Sequence, residues 1–121
     1  MGLIELGWIE TLPHLALEEL IYTDYVVRGR ELAAFLREDQ GAHVVIALTH
    51  MRDENDLRLA KEVPEIDLLL GGHDHHHRLL EMGERGVVLV KSGSDFKEFS
   101  RIDISMSKGV VKVVSWDVGC C

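Results

Sequence analysis

Two short apolar runs constrain this chain more than anything else in it: His43–Thr49 (HVVIALT) and Ile66–Leu70 (IDLLL). Neither alternates polar with apolar residues. Their shortness, and the valines of the first, predict strands buried on both faces, the kind that parallel sheets use. Between them, Asp53–Glu62 has helical period, with Leu57 and Ala60 inward and Asp53 placed as N-cap, and Pro64 ends it. Strand, helix and strand in that order, from His43 to Gly72, predict a right-handed βαβ unit with two parallel strands.

The flanks read more loosely. Leu3–Ile9 is an apolar strand or the end of one, Thr11-Leu12-Pro13 a break, and Leu15–Leu20 a short helical turn. Ile21–Val27 is rich in β-branched and aromatic residues and reads as a strand. Gly29–Glu38 then takes helical period, with Leu32, Phe35 and Leu36 on the inner face, and Gln40-Gly41 stops it. After His77 the chain turns antiparallel. Arg78–Met82 and Val87–Lys91 flank Gly83-Glu84-Arg85-Gly86 as a hairpin. Phe99–Ser107 and Val110–Trp116 flank Lys108-Gly109 as another. A chain of 121 residues with 46% hydrophobic residues suits one domain with a real core.

The formal charge of −8 argues against nucleic acid as a partner, because a phosphate backbone needs a basic face. An acidic chain still accepts an anionic substrate when a metal cation lies between them. No stretch is long and apolar enough to span a membrane, and the N-terminus lacks the features of a signal peptide. Leu6 stands where myristoylation would need Ser or Thr. The only cysteines, Cys120 and Cys121, are adjacent and cannot staple distant segments; they read as a solvated tail. The simplest compartment is the cytosol.

His50 directly follows the first buried strand, and His73 and His75 follow the second after Gly71-Gly72. Ligands of open α/β sheets bind beyond the carboxyl ends of the strands. If the two strands are neighbours, His50 and His73 emerge at one edge within reach of one ion. The paired glycines would let the backbone turn sharply there. Neutral imidazole suits zinc, manganese, iron and nickel. Three histidines suffice for one zinc, whereas a two-metal hydrolase also needs carboxylates.

The runs Ala47–Arg52, Asn55–Ala60 and Pro64–His75, with the lone His50 and the Gly-His-x-His of Gly72–His75, resemble the C-terminal half of calcineurin-like metallophosphoesterase domains. The 5'-nucleotidase branch is the most similar. The resemblance covers residues 1–105 or so and implies an α/β fold, a partial metallophosphoesterase sandwich in which a βαβ unit precedes antiparallel β hairpins. It implies that residues 1–121 form a single partial domain. His50 and His73 would ligate a second metal and His75 a first, the pair being divalent Mn, Zn, Fe, Co or Ni. The implied activity is hydrolysis of phosphate monoesters, nucleotides among them, by a hydroxide that two metals activate. The family's Asp-x-His, Gly-Asp-x-x-Asp and Gly-Asn-His motifs carry its bridging aspartate and acid–base histidine. The last two do not occur here, and Asp74-His75-His76 spells the first only by coincidence. The first half of the family domain is therefore expected to be absent from this chain, and the isolated chain to be inactive.

Other residues take plainer readings. Arg52 is a candidate to face a substrate phosphate, with a salt bridge as the simpler role. His76 and His77 are solvated or shape the substrate mouth, and His14 and His43 are surface residues. Asp53, Asn55 and Asp56 start the helix. Asp74 reads as an exposed loop carboxylate, with a hydrogen bond behind the ligands as its other role. Trp8 and Trp116 read as packing residues. The competing function is a non-catalytic metal-binding or protein-interaction module, in which an exposed sheet edge pairs with another chain.

Overall fold

The expected βαβ unit is present, embedded in a larger sheet. A computed structural model describes residues 1–82, 86–107 and 110–120. In chain order it has β1 (Gly2–Ile4), α1 (Leu6–Ile9), a 3-10 turn at Leu17–Glu19 and α2 (Tyr25–Ala34), which runs into a π turn at Phe35–Asp39. Then come β2 (Ile46–His50), α3 (Asp53–Glu62), β3 (Leu68–Gly71), β4 (His77–Met82), β5 (Val87–Ser92), β6 (Glu98–Ser107) and β7 (Val110–Cys120). The fold is mixed α/β. The five-stranded sheet has the order β1-β2-β3-β5-β4, and β6-β7 form a separate antiparallel ribbon.

β2 and β3 are parallel neighbours, with Ile46 opposite Leu68 and Thr49 opposite Gly71. β1 joins β2 in parallel, and β5 joins β3 in parallel while pairing β4 in the expected antiparallel hairpin. The central strands β2, β3 and β5 are thus paired along both edges; β3 and β5 are buried on both faces, as their continuous apolar sequences predict, whereas β2 leaves Leu48 exposed on one. The turns expected at Gly83-Glu84-Arg85 and Lys108-Gly109, and the terminal Cys121, lie outside the described residues, as does the side chain of Trp116.

The sequence reading of Ile21–Val27 as a strand is corrected. Asp24 accepts hydrogen bonds from the backbone N–H groups of Val26 (2.9 Å) and Val27 (3.4 Å), so it caps a helix that starts at Tyr25. Capping and the burial of Tyr25 and Val26 outweigh the β-preference of the valines. Leu3–Ile9 splits similarly into a three-residue strand and a short helix. Phe35 does not face inward; it is 47% exposed, and the helix buries Gly29 and Ala33 instead. Gly41 adopts φ 66° where the helical segment ends, as its position predicts.

α2 and α3 cover one face of the sheet. Tyr25, Val26, Ala33, Leu59, Ala60 and Val63 pack there against Leu3, Ala47, Leu69 and Leu89. In α3 it is Leu59, with Ala60, that is fully buried rather than Leu57. The other face carries Leu68, Val88 and Val90, with Ile46, Leu70 and Ile102 against them. Leu48 lies on that face and is 60% exposed. Arg37 joins the end of α2 to the entry of β3, donating to the Glu65 carbonyl and pairing with Asp67 at 2.7 Å.

Candidate metal centre

Parallel pairing brings the carboxyl ends of β2 and β3 together, and the Gly72 N–H donates to the Thr49 carbonyl at 2.8 Å. His73 therefore emerges beside His50. Their ring centroids are 5.5 Å apart and the planes meet at 85°. The His50 ring also lies 4.4 Å from Trp8, which makes Trp8 a wall of the site as well as a packing residue. An open hollow of about 280 Å³, lined by Gly2, Leu3, Ile4, Leu48, Thr49 and His50, lies where β1 meets β2.

The two glycines provide space, and the sharp turn falls elsewhere. His73 takes the left-handed conformation (φ 75°), whereas Gly71 and Gly72 do not. A Cβ on Gly72 would lie 3.2 Å from His50 Nδ1, and one on Gly71 would lie 2.8 Å from Lys91 Cε. Gly72 makes room for the histidine, and Gly71 makes room for a lysine behind it.

Burial holds the His50 imidazole below the ordinary histidine range, and the neighbouring His73 adds to the effect. A neutral ring with a free lone pair is the ligating form. His75 is exposed on the same loop. Among the described residues, no three His, Cys, Asp or Glu side chains converge as a ready ion cage. The structure thus brings two of the three expected histidines together and leaves the third at the surface. His76 lies 3.2 Å from Asp53, and His77 lies 3.4 Å from the Ser100 hydroxyl. His14 and His43 are exposed.

Behind the histidines is a charged network that sequence reasoning missed. Lys91, on β5, is 1% exposed. Its Nζ donates to Asp74 Oδ2 (2.6 Å) and to the Met51 carbonyl (3.0 Å), and lies 2.9 Å from both Asp53 Oδ1 and Asp56 Oδ2. Those last two oxygens are buried without a hydrogen bond among the described residues, so the lysine's charge compensates them. Asp53 also pairs with Arg78.

Asp74 is corrected from an exposed carboxylate to a structural one. Its Oδ2 accepts from Lys91 and from the Asp53 N–H at 2.8 Å, so it caps α3 from a distant loop. Arg52, the residue before α3, offers no side-chain cap. Burial alone would raise the Asp74 pKa, but the Lys91 hydrogen bond and charge, with His73 and His76, hold it below the usual range. Asp56 is fully buried, and burial pushes its carboxyl up, against the opposing pull of the Thr49 hydroxyl (2.6 Å) and Lys91. It belongs to α3 and directs its side chain at Thr49 and Lys91 on the sheet, so it does not cap the helix.

Glu5, buried at the end of β1, completes the support. It accepts from the Arg52 N–H and from Asn55, and pairs with the Arg52 guanidinium at 3.0 Å. Arg52 thus forms a salt bridge, its simpler expected role. A signal for Lys91 existed in VVLVKSG, where a lysine continues an apolar strand, but its carboxylate partners come from two other segments, α3 and the loop after β3.

No family model matches the chain. It is 28% identical over 99 residues to the trifunctional nucleotide phosphoesterase protein YfkN of Bacillus subtilis, a match covering 78% of this chain and 7% of that protein. It is 34% identical over 90 residues to the uncharacterized metallophosphoesterase YunD of the same organism, covering 73% of this chain and 16% of that one. The chain thus spans a small part of the length of the relatives it matches. Over that part it is similar to metallophosphoesterases, and its mixed α/β sheet is consistent with a portion of their fold.

Proposed function

We propose that this chain supplies one wall of a divalent-metal phosphoesterase site, with His50, His73 and His75 as ligands. The observation that carries this reading is the His50–His73 ring pair at the carboxyl edge of two neighbouring parallel strands. Two adjacent imidazoles, one kept neutral by burial, fit Mn, Zn, Fe, Co or Ni in donor chemistry. They fall short of a full coordination set, so the remaining ligands, including any bridging carboxylate, come from sequence outside these residues. Bound ions would supply the positive charge that polarises a phosphoryl group.

The residues themselves hold and orient. Trp8 backs the His50 ring, and Gly72 keeps its approach to His73 open. Arg52, braced by Glu5 yet 47% exposed, is the proposed contact to a substrate phosphate. Nucleotides are the favoured substrate class, since one relative is named a nucleotide phosphoesterase.

A non-catalytic metal-binding or interaction module is the second reading, and the uncovered Leu48 on the sheet face opposite the helices favours it. Assay of the isolated chain with an aryl phosphate and Mn, Co or Zn tests whether this wall needs the missing ligands. Little turnover is expected from a site lacking its other wall. Robust turnover abolished by His73→Ala would overturn the idea that ligands are missing and would establish the activity.

A further inference from the structure

We propose that Lys91 is a positioning residue that fixes the distance between His50 and His73. The inference rests on the two histidines being ligands, as proposed above. Lys91 lies on β5, a strand that carries neither histidine, yet its ammonium touches the neighbour of each. It donates to the carbonyl of Met51, which follows His50, and to the carboxylate of Asp74, which follows His73. One charged group therefore ties the end of β2 to the loop after β3.

The slot is built for it. Gly71, opposite Lys91 in the β3–β5 register, leaves the space through which the lysine stem passes. Asp53 and Asp56 approach the same nitrogen from α3, so three carboxylates and a carbonyl surround it. The ammonium donates to two of these oxygens and is held by the charge of the other carboxylates, so it is anchored from several sides. Asp74 in turn accepts the Asp53 N–H, so the loop that bears His73 and His75 is also pinned to the start of α3. Lys91 acts through Met51 and Asp74, not on an ion.

The test uses the full chain and two readouts, in Asp74→Asn and in Lys91→Met. Asp74→Asn keeps the side chain's size if the lysine variant does not fold. The first readout is amide hydrogen exchange without metal at Gly72 and Asp74, whose N–H groups bond to Thr49 and Gly72. Exchange there should quicken about tenfold, while β2 and β3 amides stay within about twofold. The second is calorimetric zinc titration, where affinity should fall about tenfold or more. Unchanged loop exchange would overturn the proposal, as would uniform acceleration across the sheet, which would mark Lys91 as a stabilising residue only. A wild-type chain that binds no zinc would sink the ligand reading, and the exchange result would still decide whether Lys91 clamps the loop.

Discussion

Replacing Gly71 by Ala should be unusually damaging for so small a change. The added Cβ would lie 2.8 Å from Lys91 Cε and 3.1 Å from both Lys91 Cγ and Asp56 Oδ2. Gly71 has no left-handed backbone, so conformational strain adds nothing. Alanine in a strand should instead gain about 0.5–1 kcal/mol over glycine. Overpacking opposes this by about 1–3 kcal/mol. Driving Lys91 from its slot would add more, because breaking a buried ion pair costs about 3–5 kcal/mol. With partial relaxation we expect a net loss of about 2–4 kcal/mol, measured as a lower urea midpoint at unchanged slope. Gly2→Ala, whose Cβ meets nothing within 4 Å, is the control and should be neutral. Gly72→Ala, 3.2 Å from His50 Nδ1, should impair zinc binding more than stability. A Gly71→Ala change below about 0.5 kcal/mol, the scale of ordinary surface substitutions, would refute the reasoning.

Further outcomes follow from the same geometry. Leu69→Ala, at a fully buried position, should cost about 2–5 kcal/mol in denaturant unfolding, and Leu48→Ala, at an exposed one, less than about 1 kcal/mol. Asp24→Ala removes the α2 cap and should cost about 0.5–2 kcal/mol by the same assay. The Asp74 carboxyl is held below its unfolded value of about 3.9, so the unfolded state binds more protons through that window. Its stabilisation is complete above that pH and is lost as pH falls through the folded value. The stability gap between wild type and Asp74→Asn should therefore be flat from about pH 5 upward and shrink in acid. Asp56, pushed up by burial, contributes in the opposite sense and is present in both proteins.

The parts of the fold that were legible in sequence are those that one segment determines alone. HVVIALT and IDLLL announce interior strands because no polar face interrupts them, although Leu48 leaves one face of β2 uncovered, and the helix between them has its predicted bounds, Asp53–Glu62. The N-terminus of α2 was misread because Tyr25, Val26 and Val27 favour strands locally, while the Asp24 cap and burial against β1 and α3 decide the outcome. Insertion of β5 between β3 and β4 is a long-range pairing that hairpin spacing does not encode. At the site, the positions of His50 and His73 were legible because each ends an apolar strand. The roles of Asp74, Asp56, Glu5 and Lys91 were not, since each is defined by partners from other segments. Local rules also pointed to the glycines as the turn, whereas the left-handed residue is His73.

The most direct test of the proposed metal-binding wall is zinc titration at neutral pH into the wild-type chain and into His50→Ala/His73→Ala, with folding of both verified by circular dichroism. The account predicts one ion bound by the wild type and an affinity at least about tenfold weaker in the folded double variant. Equal affinity and stoichiometry in the two would contradict it.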